Sequence, residues 1–202
     1  MTRGGSKYGD GRVICGLCEH TSVNSLTKAK SILNSVKNSL VSLGVSINLY
    51  QLELKLVNKS ELRNITLENG DLSDPRGFAK YSYWKTGSEI TKREFTIYIL
   101  EGMPDKEFEA VAAHELMHVW QYINARENLE PQLAEGSAEY LSYLYMSKQN
   151  DDFSDYVIYK IETNDDRVYG NGFKRVKKVV DQKGLNYLLS YLRKSNKFPA
   201  GF

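Results

Sequence analysis

Apolar and polar positions follow two different spacings along this chain, and the spacing separates predicted helices from predicted strands. Over residues 25–43, apolar side chains recur every three or four positions and mark one face of a helix, which Gly44 would end. After Gln51, leucines alternate with charged residues in "LELKLV". This alternation predicts a strand with one buried face.

Two further strand-like runs, "GFAKYSYWK" and "EFTIYIL", come after a polar loop with turn-forming pairs at Asn69-Gly70 and Asp74-Pro75. Only a short, Gly-containing polar link separates the two runs, so we predict a hairpin in an antiparallel sheet. We expect "EFTIYIL" to be an edge strand that binds an extended peptide by strand addition.

The second half of the chain returns to helical spacing. Met103-Pro104-Asp105 carries the signals of a helix start, a proline near the first turn followed by acidic residues. We predict four helices here, running from that start to about Asn124, from Pro131 to about Lys148, and over residues 152–162 and 172–194.

The order helix, sheet, then helices predicts an α+β fold in which a small antiparallel-rich sheet packs on a helical bundle. A chain of 202 residues fits one domain and can bury a core without disulfides. We expect residues 1–22 to be a flexible lead and residues 23–202 to form the domain.

Charge and hydropathy argue against nucleic-acid and membrane functions. The net charge of +2 is too small to indicate nucleic-acid binding. The basic stretch from Gly172 to Gly184 has apolar residues at helical spacing, so its lysines predict a solvated helix face rather than the alternative, a phosphate-binding patch. No apolar run approaches the ~20 residues of a membrane span. The polar N-terminus is not a secretory signal, so we expect a cytoplasmic protein with reduced cysteines.

Candidate chemistry centres on "AAHELMHVW", residues 112–120. His114 and His118 lie one helical turn apart on one face, so both can reach one metal ion, and neutral imidazole suits zinc. Glu115 can then act as general base toward a metal-activated water. The surrounding residues are apolar nearly all round, so the helix is buried and its polar side chains need partners. The alternative is a chance motif with hydrogen-bonded core histidines.

A catalytic zinc takes three protein ligands, and the third must come from another segment. "PQLAEGSAEYLSYLYM" carries Glu135 and Glu139 on one face of a predicted helix, which can fold back antiparallel to the first. From the residues alone, either glutamate could bind the metal while the other accepts the N–H of a ligand histidine. A solvated helix face is the alternative for both.

The segment "LAEGSAEYL" resembles the "NEGxAEY" pattern of gluzincin metallopeptidases. The resemblance implies that Glu135, directly before the glycine, is the third zinc ligand. It leaves the supporting role to Glu139.

Longer segments, from "IYILEGMPDKEFEAVAAHELMHVWQY" to "YGNGFKRVKKVVDQKGLNYLLSYLRKSNKFP", are similar to the C-terminal peptidase domain of the DA-one-like family. Its members are LIM-domain, ubiquitin-activated plant peptidases and shorter bacterial relatives, and the likeness implies a minimal zincin-like fold. Their ubiquitin-interacting motifs and full LIM fingers have no counterpart in this sequence, so ubiquitin binding is not carried over. Position 139 is glutamate where we expect another polar residue in plant members.

Cys15, Cys18 and His20 lie in "VICGLCEH", which resembles one knuckle of a zinc finger. A structural zinc needs four ligands, and this stretch offers three. We therefore expect a remnant or incomplete knuckle. The alternatives are a structural metal completed by other residues, and redox chemistry.

Peptide hydrolysis also needs a donor that stabilises the oxyanion. Tyr169, in the Gly-flanked "RVYGNGF", is the candidate, and a packing tyrosine is the alternative. We therefore predict a zinc-dependent peptidase that acts on peptide or protein substrates. The rival functions are a non-catalytic, zinc-stabilised binding module and a regulatory fragment.

Overall fold

The fold is α+β, as predicted. A computed structural model describes residues 5–47, 52–69 and 75–202. The strands in these residues are β1 (Gly5–Lys7), β2 (Val13–Cys15), β3 (Leu52–Val57), β4 (Gly77–Thr86) and β5 (Glu89–Leu100). The helices are α1 (Gly16–Glu19), α2 (Leu26–Ser42), α3 (Lys59–Glu68), α4 (Asp105–Asn124), α5 (Pro131–Met146), α6 (Asp152–Glu162), α7 (Tyr169–Lys183) and α8 (Leu185–Leu192). None of these helices has both the length and the apolar character needed to cross a bilayer.

The chain divides into two compact units, and α2 and α4 each contribute residues to both. The first unit is Met1–Val36 with Leu49–Ala112, and the second is Lys37–Asn48 with Ala113–Phe202. Part of the predicted flexible lead forms β1, β2 and α1, and β1 pairs antiparallel with β2. The predicted domain boundary after residue 22 stays a prediction.

In the first unit, three strands form a mixed sheet in the order β3-β5-β4. β4 and β5 are the predicted hairpin, with Tyr81 opposite Phe95 and Ala79 opposite Ile97. β3 runs parallel to β5 and places Leu54 opposite Ile97. Leu54, Phe95 and Ile97 are all buried, so one face of the sheet lies against the core of this unit.

The prediction that "EFTIYIL" is an edge strand is wrong, because these residues lie in β5 at the centre of the sheet. β3 pairs with residues 95–100 on one side, and β4 pairs with residues 89–99 on the other. The backbone groups of this segment are therefore already used in the two ladders, and an extended peptide cannot add to it. Apolar alternation identifies the buried face of a strand but not its neighbours, and the sequence does not show that β3 pairs beside the hairpin.

The segment predicted as a polar loop contains a helix, α3. Asn58 accepts a hydrogen bond from the backbone N–H of Glu61, and the Glu61 side chain accepts one from the backbone N–H of Asn58. This reciprocal cap satisfies two N–H groups that a helix start leaves unpaired. Asn69 follows the last residue of α3, whereas Gly70 and Asp74 of the predicted turns lie outside the described residues.

The second unit is helical, and α5 packs against α6 and α7. α5 and α7 approach most closely at two glycines, because a Cβ on Gly136 would lie only 2.3 Å from the carbonyl carbon of Gly172. A larger residue at either position would push the helices apart. The largest fully buried side chains of this unit are Leu40, Ile47, Leu116, Met117, Trp120, Leu133, Leu141 and Phe173.

The helix predicted over residues 172–194 is two helices, because Gly184 separates α7 from α8. Gly184 has a φ of 85°, a conformation that L side chains rarely adopt, and its N–H bonds to the carbonyl of Val180 at the end of α7. The predicted amphipathic character of α7 is confirmed, since Phe173 and Val176 are buried while Lys174 is exposed.

Candidate metal centre

α4 places the predicted His114, Glu115 and His118 in a buried stretch of helix. The side chain of each histidine is 14% exposed, and Glu115 is 5% exposed. The two imidazole rings lie on one face with their centroids 4.8 Å apart, as the four-residue spacing requires. The predicted burial of this helix is confirmed by the side chains around the motif, which are Ala112, Ala113, Leu116, Met117, Val119 and Trp120.

Three donor atoms from α4 and α5 come together. The Nε2 atoms of His114 and His118 are 3.1 Å apart, and Oε2 of Glu135 lies 3.3 Å from each of them. His114 also contacts Glu139, whereas the later His118 contacts the earlier Glu135. Positions that come later on α4 therefore face positions that come earlier on α5, so the two helices run antiparallel here. Among the described residues, His114, His118 and Glu135 are the group whose ligand atoms could hold a metal ion.

Glu139 contacts His114 on the side of the ring away from these donors. Its Oε1 lies 3.3 Å from Nδ1 of His114. An ionised carboxylate can only accept a hydrogen bond, so it keeps the proton of a neutral imidazole on Nδ1. The lone pair on Nε2 is then left for a metal. Glu139 thus lies where it can accept the N–H of His114, which is the supporting role expected of it.

The matching contact to His118 comes from Gln121, which was not predicted from the sequence. Gln121 is 8% exposed, and its Oε1 lies 3.0 Å from Nδ1 of His118. Its Nε2 donates to the carbonyl of Ala134 and to Oγ of Ser137, each at 2.9 Å. These two acceptors orient the amide, so its oxygen faces the imidazole and keeps the proton of a neutral ring on Nδ1. Only the position of Gln121, one turn after His118, pointed to this contact.

The imidazoles and carboxylates of this cluster change one another's pKa values. Burial lowers the pKa of both imidazoles, but Glu135 outweighs this for both rings, with help from Glu139 at His114. The pKa of each histidine therefore lies above its ordinary value. Burial also raises the pKa of Glu135, but the two histidines outweigh it and hold that pKa well below its usual range. Metal binding to this cluster must therefore displace protons from the imidazoles.

Tyr169 also lies beside the cluster, with its ring centroid 6.3 Å from that of His114. It is the first residue of α7, and the "YGNGF" segment explains how it reaches this position. A Cβ on Gly170 would lie 2.1 Å from the carbonyl oxygen of Asn164, and one on Gly172 would lie 2.3 Å from that of Gln132. The two glycines let the start of α7 pack directly against neighbouring backbone.

Cys15, Cys18 and His20 belong to the first unit and do not form a three-ligand group within the described part of the chain. Sγ of Cys15 accepts a hydrogen bond from the backbone N–H of Cys18 at 3.5 Å, so Cys15 caps the short helix α1. Within the described residues neither cysteine forms a disulfide, and both are partly exposed. The expectation of a remnant or incomplete knuckle stays a prediction, as do its alternatives, a structural metal completed by other residues and redox chemistry.

Comparison with known proteins points to one family. A family model described as "DA1-like: Protein DA1" matches residues 78–153 and 145–195, which together make up more than half of the chain. The matched residues include the whole of α4 and α5 and therefore every residue of the metal centre. No solved structure matches the chain.

Curated plant proteins show the same likeness at low identity. The chain is 25% identical to Protein DA1-related 1 of Arabidopsis thaliana over 51% of this chain and 24% of that protein. It is 24% identical to Protein DA1-related 2 of the same plant, over 69% of this chain and 31% of that protein. It is 21% identical to LIM domain-containing protein HDR3 of Oryza sativa subsp. japonica, over 95% of this chain and 50% of that protein. The chain thus spans between about a quarter and half of the length of these relatives.

Proposed function

The chain belongs to the DA1-like family, and from that membership and the geometry of the metal centre we propose that it is a zinc-dependent peptidase. His114, His118 and Glu135 would hold the zinc, and Glu115 would act as general base. The substrates would be peptides or proteins. This proposal concerns the gluzincin type of metallopeptidase, with two histidines from one helix and a glutamate from the next.

The proposal rests on the orientation of the three candidate ligand atoms toward one position that a metal could occupy. Glu139 and Gln121 accept from Nδ1–H of the two rings, so loss of the Nε2 protons leaves both Nε2 lone pairs facing the same point as Oε2 of Glu135. Donor atoms bound to a tetrahedral zinc at about 2.0–2.1 Å lie about 3.3–3.4 Å apart. The separations here are 3.1 to 3.3 Å.

The identity of the donors favours zinc over the harder cations. Magnesium and calcium sites are built mainly from oxygen atoms, whereas two imidazoles and one carboxylate are typical of catalytic zinc. A structural zinc site closes its coordination with four protein ligands. The cluster in the described residues offers three, which is the number that leaves a position for chemistry.

A bound zinc would supply Lewis acidity, lowering the pKa of a water and polarising the carbonyl of the substrate. Among the chain's own residues, Glu115 would transfer the protons. It lies next to His114 and is shielded from bulk solvent. Glu115 would accept the proton of the attacking water and return it to the leaving amine. A purely structural metal site would have no use for this buried carboxylate.

Tyr169 would assist by donating a hydrogen bond from its phenol to the oxyanion of the substrate. Its ring lies next to His114, so its position is compatible with a ligand bound at the metal. No other role of the relatives is carried over to this chain, because it spans half of their length or less.

The test is a zinc count combined with cleavage of a mixed-sequence peptide library. We expect one tightly held zinc per chain, cleavage by the zinc-loaded protein, loss of cleavage with a chelator and recovery when zinc is restored. Binding of one zinc without cleavage of any peptide would favour the non-catalytic binding module. Absence of zinc binding would remove the basis of the proposal.

A further inference from the structure

We propose that Tyr122 contacts the substrate, with its phenol donating a hydrogen bond to a backbone carbonyl of a peptide bound at the His114–His118–Glu135 cluster. The inference rests on the proposed peptidase function, and it adds a residue that lies outside the His-Glu-x-x-His motif.

Tyr122 lies on the same face of α4 as two residues of the centre. It follows His118 by four positions and Glu115 by seven, so the three side chains occupy successive turns of one helix face. Side chains on an α-helix lean toward its N-terminus. This lean directs the side chain of Tyr122 toward the turn of α4 that carries His118.

Tyr122 is open to a ligand and also interacts with the buried carboxylates. The residue is 45% exposed, so a molecule in solution can reach it. Burial, with the negative charges of Glu115 and Glu135, raises the pKa of Tyr122 to about 12. Such an effect of charge requires that the groups lie close in space, which agrees with the placement on the helix face. A phenol ordinarily carries its proton at neutral pH, so the hydroxyl of Tyr122 is a hydrogen-bond donor.

The chemistry of the cluster indicates which group of a peptide the phenol would meet. Glu115, Glu135 and Glu139 are carboxylates, which only accept hydrogen bonds and so cannot pair with a peptide carbonyl. A peptide carbonyl needs a donor instead. Tyr169 beside His114 and Tyr122 one turn after His118 each carry a hydroxyl that can donate. A peptide lying along the cluster would thus find a donor for a backbone carbonyl.

The test compares zinc-loaded wild type with Tyr122→Phe, which keeps the ring and removes only the hydroxyl. Tyr159→Phe is the matched control, because Tyr159 is 64% exposed on α6. Two quantities are measured, the kinetics on a cleaved library peptide and the Kd of mixed-sequence phosphinic pseudopeptides, which are not hydrolysed. We expect Tyr122→Phe to raise KM and Kd by about 2- to 12-fold, the effect of one neutral hydrogen bond, with kcat and zinc content unchanged. The control should match wild type.

Equal pseudopeptide affinity for wild type and Tyr122→Phe would overturn the inference, as would failure of zinc-loaded wild type to bind any pseudopeptide. A fall in kcat without a change in KM or Kd would also overturn it. If wild type binds pseudopeptides in a Tyr122-dependent way but cleaves no peptide, the peptidase proposal fails and the contact of Tyr122 stands.

Discussion

Replacing Gln121 with leucine would remove the side chain that joins His118 to α5. The native amide accepts from Nδ1–H of His118 at 3.0 Å and donates to Ala134 and Ser137 at 2.9 Å. Leucine fills a similar volume without a polar atom. The Ala134 carbonyl keeps a bond from Ser137, whose hydroxyl also donates to Leu133. The group that loses its partner is therefore Nδ1–H of His118.

The expected magnitude follows from that single unpaired group. A buried donor without a partner costs about 1–3 kcal/mol. Loss of a hydrogen-bonding partner behind a metal ligand weakens metal affinity by about 10- to 100-fold. We expect Gln121→Leu to show both effects, in urea unfolding of the metal-free protein and in zinc affinity measured by competition with a chromophoric chelator. Gln121→Glu should keep most zinc affinity, because a carboxylate still accepts from His118, but it should lose stability because it cannot donate to Ala134.

The control is Gln182→Leu, since Gln182 is an exposed glutamine on α7 and should change neither quantity. If Gln121→Leu binds zinc as tightly as wild type, the orientation of His118 does not depend on Gln121. The account of how both imidazoles are prepared for the metal would then be refuted.

Two further predictions concern packing and protonation. Gly136→Ala should destabilise the protein by about 1–3 kcal/mol, because its Cβ would lie 2.3 Å from the carbonyl carbon of Gly172. The control is Gly9→Ala, whose new Cβ would have no atom within 4 Å. Equal urea midpoints for the two variants would contradict the close packing. Zinc binding at pH 7 should release protons, because the pKa values of His114 and His118 are raised in the metal-free cluster. The apparent zinc affinity should therefore rise with pH through the range where the imidazoles deprotonate. Calorimetry in buffers of different ionisation enthalpy measures the release, and a binding enthalpy independent of the buffer would contradict it.

Helices with long, regular apolar faces could be predicted from the sequence, and their ends agree closely with the structure except in residues 172–194, where Gly184 separates α7 from α8. α4 begins at Asp105 and α5 at Pro131, because proline and acidic start signals act locally. α3 was missed since it is short and polar, although Asn58 and Glu61 carried the signal of its capping box. Strand order could not be predicted, because pairing of β3 with β5 depends on contacts distant in the sequence.

Some residues of the candidate site could likewise be predicted from the sequence, and others could not. Histidine and glutamate at helical spacing are uncommon in a buried helix, so His114, His118 and the pair Glu135 and Glu139 stood out from the sequence. Which glutamate approaches which ring depends on how α5 lies along α4, and only the structure shows it. Gln121 could not be identified in advance, because a glutamine on a helix has many ordinary partners.

The central claim, that Glu115 is the general base of a zinc peptidase, is tested most directly by Glu115→Gln. The variant keeps the shape of the side chain and loses the basic oxygen, and Glu127→Gln, at an exposed glutamate, is the matched control. The account predicts a full zinc content with kcat lowered about 10²- to 10⁴-fold for Glu115→Gln, and wild-type activity for the control. Wild-type cleavage rates in zinc-loaded Glu115→Gln would contradict it.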